Sequence, residues 1–291
     1  MSRTWNHVRL ICLTLVFALH LEACSHLFYF PDANSYRDPR TYPFPVETLS
    51  IPRDHDGPIH AWLMNDDPAS KGLVVHFHGN AQNLTAHADF SAWLAQSGYT
   101  VLIFDYSGYG KTKGRPTQKQ LIDDSADVFR WVFAQKKWAK KGAPLIVFAQ
   151  SLGGAVATTT LAEHSEIADK IDFILVESSF DSYRAVAYEK LSESPVTWLF
   201  SPLGLWAVSE YRKPADAVHI LTMPKLFVHG NHDQVVPFVN GKALYEAARP
   251  PKEFWEIPYG DHTQAFVPGS PYRAQLLEML AHIKDPGFQL R

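Results

Sequence analysis

Three residue types that act together in nucleophilic catalysis occur in one order along the chain: Ser151, Asp233 82 positions later, and His262 a further 29 on. A serine hydroxyl is a weak nucleophile until an imidazole takes its proton and a carboxylate holds that imidazole in the right tautomer. The group that results attacks acyl carbonyls. Ser151 stands in Ala149-Gln150-Ser151-Leu152-Gly153-Gly154, after the apolar run Leu145–Phe148 and before the helical pattern Ala155-Val156-Ala157-Thr158. Strand, tight turn with a central serine, then helix is the context in which a nucleophile elbow forms. Side chains two before and two after such a serine must be small. Gly153 meets that demand fully, and Ala149 exceeds it by one methyl group. The Leu152 amide would lie at a helix N-terminus, aimed at an oxyanion above Ser151. Taken alone, these six residues also fit a surface serine before a glycine-rich helix start.

A second donor is expected where the third apolar run ends, in His76-Phe77-His78-Gly79-Asn80-Ala81. Gly79 allows a sharp turn, after which the Asn80 amide can face the same point as that of Leu152. Losing one such donor typically costs about 10²–10³ in turnover. Asp261 and Glu177 rival Asp233 as the acid. Consecutive loop side chains rarely meet ring nitrogen to carboxylate, which weakens Asp261, while Glu177 follows the sixth strand at another position where hydrolases carry an acid. His76 and His78, two apart on a strand, could meet His232 and Asp233 at a metal. A metallo-hydrolase would show a further clustered ligand where Gly79-Asn80 stand, so no metal and no cofactor are expected. The Asp105-Tyr106-Ser107-Gly108-Tyr109-Gly110 loop lacks the remainder of a nucleotide fingerprint and reads as structural, with Asp105 tying down amides.

The elements that must position these residues alternate between short β-rich runs and helical patterns. Strands are expected at Val46–Ile51, Ile59–Met64, Leu73–Phe77, Thr100–Phe104, Leu145–Phe148, Phe173–Val176, Lys225–Val228 and Phe254–Ile257. Several are apolar on consecutive positions, as strands covered on both faces require. A helix over Gln118–Gln135 carries Leu121, Ile122, Ala126, Phe129 and Val132 on one face. Asp54-His55-Asp56-Gly57 reads as a hairpin turn joining the first two strands. The expected fold is α/β: a mostly parallel eight-stranded sheet with helices on both faces, in one domain over 46–291.

Five ordered segments resemble the Bem46-like branch of α/β-hydrolases: His78-Gly79-Asn80-Ala81, Asp105 to Thr112, Gln150-Ser151-Leu152-Gly153-Gly154, Glu177-Ser178-Ser179-Phe180, and His229 to Asp233 with Val236-Pro237. The resemblance implies Asp233 as acid, His262 as base, and a short helical cap at 180–219. There Val196, Trp198, Leu199, Phe200, Leu203, Leu205, Trp206 and Val208 read either as helix burial or as an apolar wall for acyl chains. Ester or thioester hydrolysis through an acyl-enzyme on Ser151 follows. Amide hydrolysis and acyl transfer use the same triad, and a lipid-anchored binding or scaffold protein of this fold without turnover is the alternative from another class.

At the N-terminus, Arg3 and Arg9 precede the apolar run Leu10 to Leu21, which has the length of a signal-peptide core and is short for a membrane span. Leu21-Glu22-Ala23-Cys24 resembles the bacterial lipoprotein signal, although His20 and Glu22 depart from its small or apolar residues. Residues 1–23 are expected to be removed, Cys24 lipidated, and 24–45 to form a tether that packs partly on the domain. Cys12 would go with the signal, so the mature chain would hold neither free thiol nor disulfide. Ser25 in place of Asp favours the outer over the inner membrane in a two-membrane envelope. A formal net charge of −3 and a pI near 6.5 provide no basic stripe, so nucleic acid is not an expected partner. The expected partners are an acyl substrate and a membrane. Oligomeric state is not legible.

Overall fold

The computed structural model describes residues 28–135, 138, 143–193, 198–202, 205 and 208–290. Cys24 and the signal segment lie outside these residues. The first four expected strands have the bounds read from the sequence: β1 Val46–Ile51, β2 Ile59–Met64, β3 Leu73–Phe77 and β4 Thr100–Phe104. The other four run further: β5 Leu145–Gln150, β6 Phe173–Glu177, β7 Lys225–Gly230 and β8 Lys252–Ile257. Sheet order is β8-β7-β6-β5-β3-β4-β2-β1. The β1–β2 and β2–β4 pairs are antiparallel and the remainder parallel. The hairpin joining β1 to β2 closes at Asp56 and Gly57, both at positive φ.

The consecutive apolar residues of the parallel strands divide between two cores. In β3, Leu73, Val75 and Phe77 point to one, and Val74 to the other. α2 (Gln118–Ala134) and α3 (Leu152–Glu163) cover the first with Leu121, Phe129, Val156 and Leu161. α1 (Asp89–Gln96) and α7 (Pro271–His282) cover the second with Trp93, Leu94, Leu276 and Leu280. Burying one such side chain fully is worth ~1.5–3 kcal/mol, so covering both faces is what holds a parallel sheet together. Thr117 caps α2 by accepting from the Gln120 amide at 3.1 Å. Between β6 and β7 come α4 (Tyr183–Glu193), a short turn at Trp198–Phe200 and α5 (Pro214–Ile220); α6 (Phe238–Ala247) precedes β8.

Asp105 at the end of β4 has the structural role expected of it. Its carboxylate accepts from the Leu84 amide at 2.7 Å and meets His60 Nδ1 at 2.8 Å. His76 and His78 do not share a face. The strand ends at Phe77, so His78 already belongs to the turn. His76 stacks on Phe148 and bonds Ser91 and Gln150, while the His78 ring lies against Tyr106. Burial, with the nearby His87, pushes the His76 imidazole down to about 3 and holds His78 well below the usual histidine range. Among the described residues no three His, Cys, Asp or Glu side chains gather as metal ligands would.

Candidate active site

Ser151 sits at the bend between β5 and α3 with φ 54° and ψ −120°, a conformation that persists in an L-residue only where its surroundings enforce it. Its amide donates to the Glu177 carbonyl at 2.9 Å. A Cβ on Gly153 would stand 2.1 Å from the Phe77 carbonyl oxygen, so only glycine lets α3 approach the end of β3 this closely. Leu152 opens α3, where an amide has no acceptor within the helix. Gly79 brings the next loop alongside: a Cβ there would lie 3.7 Å from that of Ser151. Asn80, Ser151 and Leu152 line one cavity. The Asn80 side chain is engaged elsewhere, its Nδ2 donating to the Phe28 carbonyl at 2.5 Å and its Oδ1 accepting from the Tyr109 hydroxyl at 2.8 Å.

His262 Nδ1 meets Asp233 Oδ2 at 2.8 Å. The carboxylate is fully enclosed, and the imidazole retains 19% exposure. Asp233 Oδ1 accepts from the amides of Val235 and Val236, both at 2.8 Å. His229 Nε2 lies 3.3 Å from Asp233 Oδ2 while donating to the Val236 carbonyl at 3.0 Å. Burial pushes the Asp233 carboxyl up. Hydrogen bonds with His229 and His262, together with the His262 charge and the Val236 amide, outweigh it and hold the group well below the usual carboxylate range. The rival acids point elsewhere. Asp261 Oδ1 accepts from the Gln234 and His262 amides at 2.9 and 2.7 Å, so it shapes the loop backbone.

Glu177 ties the two halves of the site together. Its carbonyl holds the Ser151 amide, its Oε1 accepts from the Ala265 amide at 3.0 Å, and its Oε2 from Gln150 Nε2 at 2.7 Å. Gln150 Oε1 in turn meets His76 Nε2 at 3.0 Å. Burial pushes the Glu177 carboxyl up to about 7, although Gln150, Ala265 and the nearby histidines act against it. A carboxyl whose folded pKa lies above the ordinary value of 4.5 is most stabilising while protonated, and that contribution is lost as pH rises through about 7. Glutamine reproduces the protonated shape, with the Gln150 amide turned to accept. Glu177→Gln is therefore expected to gain stability relative to wild type by roughly 3 kcal/mol between pH 4.5 and 9. Denaturant unfolding at the two pH values checks this, and an unchanged difference would contradict it.

The cavity above Ser151 has a volume of about 560 Å³. Its walls are apolar: Val186, Ala187 and Leu191 from α4, with Phe180, Val208 and Val236. Among the described residues, the apolar wall expected from the cap is built mainly by α4. Of the later aromatic stretch, Val208 lines the cavity, Trp198 and Leu199 face solvent, and Val196, Leu203 and Trp206 lie outside the described residues. Phe28 and Phe30, from the segment read as a tether, complete the wall.

A family model described as serine aminopeptidase S33, Hydrolase_4, matches residues 68–204. The uncharacterized protein YfhR of Salmonella typhimurium is 30% identical over 287 residues, covering 90% of this chain and 92% of that protein. The chain belongs to the α/β-hydrolase family. A more distant relative of the hydrolase is the lysophosphatidylserine lipase ABHD12 of Macaca fascicularis, 27% identical over 69% of this chain and 52% of that protein. Among solved structures, the esterase Pf2001 of Pyrococcus furiosus aligns with a TM-score of 0.66 and 21% identity, covering 86% of this chain and 95% of that one. Est1E of Butyrivibrio proteoclasticus aligns at 0.59 with 18% identity, covering 81% and 96%. These two share the fold. Sequence reasoning did not single out His229 beside Asp233, Phe28 in the cavity wall, or the hub role of Glu177. The only sequence signal for Phe28 is a Phe-Tyr-Phe run in an otherwise polar, proline-containing stretch.

Proposed function

We propose that this hydrolase cleaves carboxylic esters or thioesters of apolar acyl groups through an acyl-enzyme on Ser151. His262 Nε2 takes the Ser151 proton as the hydroxyl attacks and returns it to the leaving group. Asp233 holds the imidazole through Nδ1 and stabilises the imidazolium. The Asn80 and Leu152 amides receive the oxyanion. Water then attacks the acyl-enzyme with His262 again as base. Two observations carry the reading: the His262–Asp233 contact at 2.8 Å, and a Ser151 held at positive φ that lines an apolar cavity.

The cavity lining supports ester over aminopeptidase chemistry, which the family model's description raises. An aminopeptidase must hold a free substrate ammonium, and the described residues lining the cavity include no carboxylate. Lys190 is the charged residue there, and its Nζ donates to the Gln234 carbonyl. Reaction with a fluorophosphonate probe at pH 8, with the adduct mapped by mass spectrometry, tests the proposal. Modification of the peptide carrying Ser151, together with turnover of p-nitrophenyl esters, is the expected result. A folded protein that neither labels nor turns over esters would refute it.

Cys24 is proposed to carry the lipid that holds the enzyme at an envelope membrane, the outer one where two exist. Phe28 in the cavity wall lies four positions further along the chain, a span of at most about 14 Å. A diacylated cysteine so placed would hold the cavity mouth at the bilayer surface, where acyl substrates collect. Cys24→Ala is expected to abolish incorporation of labelled palmitate and release the protein from membranes. Unchanged labelling would overturn the assignment.

A further inference from the structure

Residues 28–32 do more than connect an anchor to a domain. Phe30–Pro31 pairs in parallel with Ala81–Gln82, and the Asp32 amide and carbonyl continue the attachment through the Gln82 carbonyl at 3.2 Å and the Gly110 amide at 2.9 Å. This short strand is added immediately after Asn80. The Asn80 side chain is gripped from both directions, its Nδ2 by the Phe28 carbonyl at 2.5 Å and its Oδ1 by the Phe30 amide at 3.3 Å. The Phe28 ring packs against Tyr183 at 5.3 Å and edge-on to Phe180 at 6.3 Å, so it joins the strap to the start of α4. Phe180 and Phe28 both line that cavity together with Ser151.

We infer that this strap is a specificity element of the active site, with the Phe28 ring setting the length of acyl chain the cavity accepts. The inference rests on the acyl-transfer reading above. The Phe28 backbone is fixed by its carbonyl bond to Asn80 and the ring by its contacts with Tyr183 and Phe180, so turning the ring away means giving up those aromatic contacts. A chain entering above Ser151 meets a fixed wall there and not a flexible tether. Discrimination in an apolar pocket is worth about tenfold or more per methylene gained or lost. Changing the size of this one ring therefore reads directly in substrate preference.

The test is the ratio of kcat/KM for p-nitrophenyl octanoate to that for the butyrate, measured on full-length protein and normalised to sites titrated with the fluorophosphonate. Phe28→Trp fills part of the cavity and is expected to lower the ratio about tenfold. Phe28→Ala deepens it and is expected to raise the ratio; Phe28→Leu supplies the same direction should the alanine variant not fold. A purely structural role would reduce both substrates alike in both variants. Ratios within twofold of wild type in the tryptophan and the smaller variants would overturn the inference while leaving the proposed function intact. Wild type inert toward both esters and the probe would instead overturn the function on which the inference rests.

Discussion

Ser151→Ala is expected to lower kcat toward an activated ester by about 10⁶-fold, His262→Ala by a similar factor, and the double variant by no more than either alone. In the proposed mechanism the two act as one device: without the hydroxyl there is nothing to acylate, and without the imidazole the hydroxyl keeps its proton. On the proposed mechanism the residual rate would come from the Asn80 and Leu152 amides and the apolar cavity, about 10³–10⁴ over the uncatalysed reaction. Burst and steady-state kinetics with a p-nitrophenyl ester measure all three variants. Ser151→Ala also removes probe labelling, although its fold should be unchanged because the strained bend is enforced by Glu177 and Gly153 and not by the hydroxyl. The neighbouring hydroxyls offer no substitute. Ser178 Oγ accepts from the Thr263 amide at 3.1 Å, and Ser179 is buried against Gly154. Retention of more than about 1% of kcat, where a loss of about 10⁶ is expected, would move the nucleophile elsewhere.

Fold and site were legible to different depths because different forces write them. The two-sided burial of β3 and β6 appears directly as runs such as Leu73-Val74-Val75 and Ile174-Leu175-Val176, which lie within the observed strands. The site ends of β5, β6 and β7 lie beyond that pattern. Gln150, Glu177 and His229 are polar and end an apolar pattern, yet all three are strand residues almost completely buried. They are tolerated because each finds a partner across the sheet ends: Gln150 with Glu177, Glu177 with the Ala265 amide, and His229 with the Val236 carbonyl. A hydropathy pattern records burial by the hydrophobic effect and misses burial by mutual hydrogen bonding. Partners 27 or 88 positions apart leave no local mark. The strap was hidden for the same reason, since Phe30 is exposed in its own segment and acquires a role only through pairing with Ala81.

The nucleophile bend was legible because its constraint is local. Gly153 must be glycine for a backbone oxygen 2.1 Å from its absent Cβ, and that requirement shows in the sequence as a small residue two after the serine. The choice among three acids is not local: the contact of Asp233 with His262 joins residues 29 positions apart.

Asp233→Asn is accordingly expected to lower kcat by about 10⁴ with little change in KM, since the loss falls on the transition state. The asparagine amide fits the space. It can keep accepting through one oxygen from Val235 and Val236, and its NH₂ then faces His262 Nδ1. That contact stabilises the tautomer with the proton on Nε2, leaving no lone pair for the Ser151 hydroxyl, and removes the negative charge that stabilises the imidazolium. His229, 3.3 Å from the same oxygen, loses its anionic neighbour as well. Asp261→Asn removes a carboxylate that bonds the Gln234 and His262 amides, and Glu177→Gln one that bonds Gln150 and Ala265. Each is expected to cost far less in kcat than Asp233→Asn at pH 8. The comparison decides the assignment through its pH dependence. Deprotonating the imidazole in Asp233→Asn does not restore the tautomer, so raising pH should recover wild-type kcat only in part. An Asp233→Asn variant within tenfold of wild type, with Asp261→Asn or Glu177→Gln down by about 10⁴, would transfer the orienting role to that residue.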